Sequence, residues 1–172
     1  MIRFSEKQKF TQWWFWVLII GITSLFLYGL YQQIILKIPF GDKPVSDNVL
    51  LLISIIPLLI IVIFLVSTLE TEINEFGISY KFFPFHLNKK TIAWDSIDKA
   101  YIRKYNPITE YGGWGFRLGL FGKGRALNMS GTMGLQLVLK DGTKLLIGTL
   151  KSDELEQILQ NLMKNNIINK PD

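Results

Sequence analysis

Two stretches of this chain carry no charged side chain, and they limit what it can fold into more than anything else. Phe10 to Leu36 is a run of 27 such residues, and Val49 to Leu69 is a second, of 21. A helix needs about 20 apolar residues to cross the hydrocarbon core of a bilayer, so both runs are long enough. In the second, 17 residues are Leu, Ile, Val or Phe. Their summed transfer free energy is on the order of −5 to −10 kcal/mol, an upper estimate because residues near the ends contribute less. Two buried helices of a soluble core would not need runs this long and this free of charge. The flanks agree: "FTQWWFWV" (Phe10 to Val17) gathers three tryptophans and two phenylalanines at one end of the first run, and Tyr28 and Tyr31 stand near the other. Indole and phenol rings favour the headgroup level, where an apolar ring and a polar tip are both satisfied. Pro57 interrupts the second run, as membrane helices tolerate. The first run is too long for the core of a signal peptide, and no small-residue cleavage site follows it.

These runs predict a membrane anchor over residues 1–69, with spans at about 10–36 and 49–69, followed by a soluble domain over 70–172. Residues 1–9 hold Arg3, Lys7 and Lys9 against Glu6, whereas Lys37 and Lys43 of the connecting loop are balanced by Asp42 and Asp47. The excess of cations at the N-terminus predicts that both termini lie in the cytoplasm. There is no cysteine, which removes disulfides, thiol catalysis and thiolate metal sites.

From Glu70 the hydrophobic period changes. "ETEINEFGISYKFFPF" reads as two strands around Glu75-Phe76-Gly77. "KKTIAWDSIDKAYIRKY" alternates, and Asn106-Pro107 is a turn signal. "LQLVLKDGTKLLIGTL" is a hairpin, with Asp141-Gly142 signalling a type I′ turn. The period then switches to that of a helix. Ser152 can cap it, and Leu155, Ile158, Leu159, Leu162 and Met163 lie on one apolar face; Asn165, Asn166 and Pro171 end it. The expectation is a small antiparallel barrel or bent sheet of about seven strands, closed by the terminal helix. "EINEFGISYKFFPF", "TIAWDSID" and the stretch from "YGGWGFR" to "KLLIGT" resemble bacterial membrane proteins in which two helices precede a pleckstrin-homology-like (PH-like) domain. The resemblance spans roughly residues 70–165. It implies a PH-like fold that binds proteins, peptides or lipid headgroups, and it brings no catalytic residues and no cofactor.

Residues 111–134, "YGGWGFRLGLFGKGRALNMSGTMG", hold 8 of the 14 glycines. A phosphate loop is excluded by spacing, since Gly122-Lys123 is followed by Gly124 rather than Ser or Thr, and Leu118 stands where G-x-G-x-x-G needs its third glycine. A flexible linker is excluded by the aromatic and aliphatic residues between the glycines. What remains is a sheet corner, or a docking edge built on Gly113, Trp114, Gly115 and Arg117. Six cations (Lys99, Arg103, Lys104, Arg117, Lys123, Arg125) face one acid, Glu110, between residues 99 and 125. Lys99, Arg103, Lys104, Lys123 and Arg125 are therefore candidates for contact with anionic lipid.

His86, the single histidine, has no second metal-type ligand at a defined spacing and reads as a solvated turn residue. Asp95 and Asp98 fall on different faces. An enzyme is not expected. Nor is a nucleic-acid partner, given the membrane tether. The polar residues of the spans (Thr23, Ser24, Gln32, Gln33, Ser54, Ser67, Thr68) include no ionisable group, as a transporter would need. The functional expectation is a non-enzymatic module in the bacterial cytoplasmic membrane that binds a protein or peptide, or itself. Lipid-headgroup binding and service as an accessory subunit of a membrane enzyme or transporter are the alternatives.

Overall fold

In the computed structural model, residues 4–119 and 122–164 are described here. They divide into two compact units: Gln12–Val66, and residues 4–11 together with 67–119 and 122–164.

The first unit holds two helices long and apolar enough to span a membrane. Helix α1 (Trp13–Leu30) runs on through a π-helical stretch, Tyr31–Ile35, and α2 covers Asp47–Val66. They pack as neighbours, with Phe15 and Phe64 in ring contact at 4.4 Å. The buried polar side chains Thr23, Ser54 and Gln33 find partners within the unit. Thr23 Oγ1 donates to the Ile19 carbonyl and Ser54 Oγ to that of Leu50, each at 2.7 Å. Gln33 Nε2 donates to the Val45 carbonyl and to Asp47 Oδ1, which closes the connecting loop. Along most of both helices the leucines, isoleucines and valines are exposed, the reverse of a water-soluble helix pair.

The second unit contains two sheets. The first is ordered β1-β2-β3-β4, from β1 (Phe4–Lys9), β2 (Thr68–Ile73), β3 (Gly77–Phe83) and β4 (Lys90–Ala93). The second is ordered β5-β8-β9-β7-β6, from β5 (Ile97–Lys104), β6 (Gly115–Leu118), β7 (Arg125–Asn128), β8 (Met133–Leu139) and β9 (Lys144–Thr149). Each sheet has two unclosed edges, so the arrangement is not a barrel. Nor is it wholly antiparallel, because β7 runs parallel to β9. Two short helices complete the unit: α3 (Pro107–Tyr111), where the sequence suggested only a turn, and the terminal α4 (Ser152–Lys164).

Strand β1 is the largest departure from the sequence reading. Residues 4–9 alternate buried and exposed and pair antiparallel with β2, so they belong to the sheet and not to the anchor. Thr68 and Leu69, expected at the end of the second span, are likewise in β2. Glu6 is buried. Its carboxylate accepts from Thr149 Oγ1 at 2.7 Å and from the Leu150 amide at 2.8 Å, while Gln8 Nε2 donates to the Gly148 carbonyl. Hydrogen bonds to a charged group are worth about 1.5–3 kcal/mol each, so an acid expected in a solvated tail instead ties the first sheet to the second.

Helix α4 lies against β5 and β8 with Leu155, Leu159 and Leu162 buried. They cover the sheet face that carries Ala100, Leu135 and Leu137, as the 3.6-residue period predicted. Ile158 and Met163 flank this stripe, half-buried. Ser152 is already helical and its hydroxyl meets Asp153, so it does not cap the helix. The residues expected to end the helix lie outside the described ones. At the β8–β9 turn only Gly142 has a positive φ, 83°, and its amide donates to the Leu139 carbonyl. A type I′ turn needs positive φ at both central residues. Here a type I turn followed by one left-handed residue makes a three-residue loop instead.

Candidate docking cleft

The cleft beside Trp114 starts with the capping of α3. Asn106 Oδ1 accepts from the amides of Ile108 and Thr109, Pro107 occupies the first turn, and Glu110 Oε1 accepts from the Asn106 amide at 2.9 Å. Asparagine as the cap and proline just inside suit a helix start, because the orphan amides find an acceptor and proline lacks the amide that would go unpaired. Gly112 ends the helix in the left-handed conformation, φ 71°. Gly113 and Gly115 continue at φ 123° and 115°. Side chains rarely adopt such angles, so the three glycines form the corner that the sequence suggested.

This corner presents Trp114 half-buried. The Gly115 amide donates to Asn128 Oδ1 at 2.8 Å and Arg117 Nε donates to the Trp114 carbonyl at 2.9 Å, so both polar atoms of the peptide group that follows the indole are held. Trp114 walls a cleft of about 540 Å³ together with Lys104, Tyr105, Pro107, Ile108, Glu110 and Thr132. Ile108 is mostly exposed. One aromatic wall, one aliphatic wall and a lysine at the rim form a concave, largely apolar surface.

Glu110 anchors the charges behind the cleft. Its carboxylate lies 2.9 Å from Arg103 and 3.5 Å from Lys123. Burial opposes its ionisation, but Arg103, the Asn106 amide and Lys123 outweigh that and hold its pKa below the usual carboxylate value. Arg103 also donates to Gln136 Oε1 and to the Tyr111 hydroxyl, each at 3.0 Å. Burial pushes the Tyr105 phenol up to about 12, so it stays protonated.

Of the residues singled out from sequence, Gly113, Trp114, Gly115 and Arg117 come together. The five candidate lipid-facing cations do not. On β5, Lys99 and Arg103 share one face and Lys104 takes the other, because side chains alternate along a strand. By register Arg125 lies level with Leu145, on the face of Leu137 and Ala100. Arg103 and Lys123 are engaged by the same carboxylate. A single basic face over 99–125 is therefore not formed.

His86 also departs from expectation. It is buried, its ring lies edge-on to Tyr80 and Phe116, and the Phe82 amide donates toward Nδ1 at 3.4 Å. Burial foremost, then Lys90 and Arg125, lowers its pKa. Among the described residues no three His, Cys, Asp or Glu side chains are grouped to hold a metal ion. Ile108 and Thr132 were missed from sequence. A signal for Ile108 was present, since Asn106-Pro107 with Glu110 is a helix start as well as a turn. Nothing in the sequence marks Thr132, which reaches the cleft through the bond from the Tyr105 amide to its carbonyl. Set against known protein families, curated proteins and solved structures, the chain matches none.

Proposed function

We propose that this chain is an integral membrane protein of a bacterial cytoplasmic membrane, and that its compact unit is a cytoplasmic, non-enzymatic module that docks a protein or peptide. Two sheets followed by a terminal helix agree with the PH-like resemblance in outline, and we read the unit as a variant of that fold with a parallel β7–β9 pair. The hairpin topology is supported by β1 and β2. They flank the two spans in sequence and are hydrogen-bonded neighbours, as expected when both ends of the anchor lie on one side. A cysteine replacing Asn48 should then label from outside in intact cells and one replacing Glu156 should not; the reverse pattern sinks the orientation.

One observation carries the docking reading: Trp114 is held at the peptide group that follows it and through its indole N–H, which donates to the Gly131 carbonyl, yet it is only half-buried, over a cleft whose other apolar wall, Ile108, is exposed. A pre-set aromatic anchor loses little freedom on binding. Arg117 contributes only Nε to the corner and makes no ion pair among the described residues, so the partner segment should pair an apolar side chain with an acid. Affinity capture from detergent-solubilised membranes tests this with full-length Trp114→Ala and Arg117→Ala. Loss of the captured protein by Trp114→Ala at an unchanged unfolding midpoint supports docking. Capture undiminished by either variant removes it. A lipid-headgroup site on the 99–125 cations is the weaker reading, because those cations point to different faces.

A further inference from the structure

A second outcrop has a different character and does not depend on the Trp114 cleft. The chain leaves β3 at Phe83 and folds back, the His86 amide donating to the Phe82 carbonyl at 2.7 Å. The loop presents Phe85, 60% exposed, and Leu87, 72% exposed. Phe85 stacks on Phe116 of β6 at 5.6 Å, and two residues along the same strand face Leu118 is 71% exposed. Phe85 is thus linked through Phe116 to the strand face that carries Leu118, and Leu87 stands two residues from Phe85 in the same loop. Arg125 lies directly opposite Leu118 in the β6–β7 register, and Lys90 ends the loop at the start of β4. Both act on the buried His86, and among the described residues neither makes an ion pair.

Register decides what this outcrop meets. Lys9 pairs with Thr68 and Thr68 with Phe83, so the three form the last row of the first sheet. Thr68 stands two residues beyond Val66, the end of α2, which is at most about 7 Å of chain. Phe83 is one strand spacing, about 4.8 Å, from Thr68. The Phe85 loop therefore sits on the end of the sheet that is covalently tied to the spans, while Phe76, 73% exposed, marks the opposite end. Exposed aromatic and aliphatic tips rimmed by lysine and arginine suit the interface of an anionic bilayer, where rings enter the headgroup layer and cations meet phosphate. Three side chains are too few for a stable second copy, whose interface would bury about 1,200–2,000 Å². We propose that Phe85, Leu87 and Leu118 dip into the headgroup layer of an anionic membrane, with Lys90 and Arg125 on its phosphates.

The inference rests on the membrane anchoring proposed above, and one experiment separates the two. Leu87→Cys and Phe76→Cys, each the sole cysteine of the full chain, are labelled with an environment-sensitive fluorophore and reconstituted in vesicles of phosphatidylcholine and phosphatidylglycerol. Retention in the vesicles after an alkaline wash reports anchoring; loss of the protein there refutes the spans. In retained protein, position 87 should emit blue-shifted and be quenched by nitroxide-bearing lipid, and position 76 should be quenched by aqueous iodide. Equal iodide quenching at both overturns the proposal. So does a blue shift at 87 without lipid quenching, which would mean a protein surface. Lys90→Gln and Arg125→Gln should each lower the ratio of lipid-embedded to aqueous label about fivefold, and an unchanged ratio overturns the assignment to an anionic surface.

Discussion

The Trp114 corner and the Phe85 loop are both aromatic outcrops of one compact unit, built on opposite principles. At the corner the backbone is specified: three glycines take positive φ, Asn128 and Arg117 hold the peptide group that follows the indole, and Glu110 engages the nearby Arg103 and Lys123. At the loop the side chains specify the shape. Phe82 is buried against Phe85 and His86 against Phe116, and among the described residues Lys90 and Arg125 make no ion pair. A surface whose charges are neutralised from within suits a partner that brings shape and one acid. A surface with cations left over suits a partner that brings many phosphates.

The contrast can be broken most forcefully from beneath the loop. Phe82 is 2% exposed, so Phe82→Ala should cost roughly 3–5 kcal/mol, read from denaturant titration of the full chain in detergent. A loss under about 1 kcal/mol would mean that side-chain packing does not shape this outcrop. Leu159→Ala should cost roughly 2–5 kcal/mol and loosen both outcrops, since α4 closes the core they share; a loss below about half a kcal/mol would remove that role. At the corner, a Cβ on Gly113 meets nothing closer than Arg117 at 3.7 Å. Gly113→Ala therefore tests φ alone and should cost about 1 kcal/mol. A neutral result would leave the corner without its backbone argument.

Acid should separate the two. Folding lowers the pKa of His86, so the unfolded chain binds a proton near pH 6.5 that the folded one resists. Stability then falls as pH drops through that range, by at most about 1.4 kcal/mol per pH unit for one group, and His86→Gln should flatten the fall. Glu110 is also lowered. Its contribution is present above the unfolded carboxylate value, about 4.3, and is lost as pH falls below it, so Glu110→Gln should alter only that more acidic window. A shared window for both variants would contradict the separation. The smallest effect belongs to Lys123, whose side chain is half exposed 3.5 Å from Glu110. Lys123→Ala should change stability by less than about 1 kcal/mol, and a larger loss would make Glu110 dependent on both cations.

The spans, the 70s hairpin, the Asp141-Gly142 turn position and the stripe on α4 could be read along the chain. Each is specified by residues close in sequence: a charge-free run longer than a bilayer is thick, a glycine at a turn, leucines three and four apart. Of the candidate sites, the glycine corner was legible for the same reason, because backbone conformations open only to glycine are written locally. Contacts between distant segments were not. Nothing local marks residues 4–9 as a strand, since their partner β2 follows both spans and their acid, Glu6, reads as solvated until Thr149 and Leu150 reach it. The parallel β7–β9 pair, the burial of His86 under Phe116 and the dispersal of the 99–125 cations depend on sheet order in the same way. Local chemistry determined the long helices, the hairpin turns and which segments can enter a membrane. Sheet register, set by contacts across the whole chain, decided which charges are neutralised and which side chains face outward.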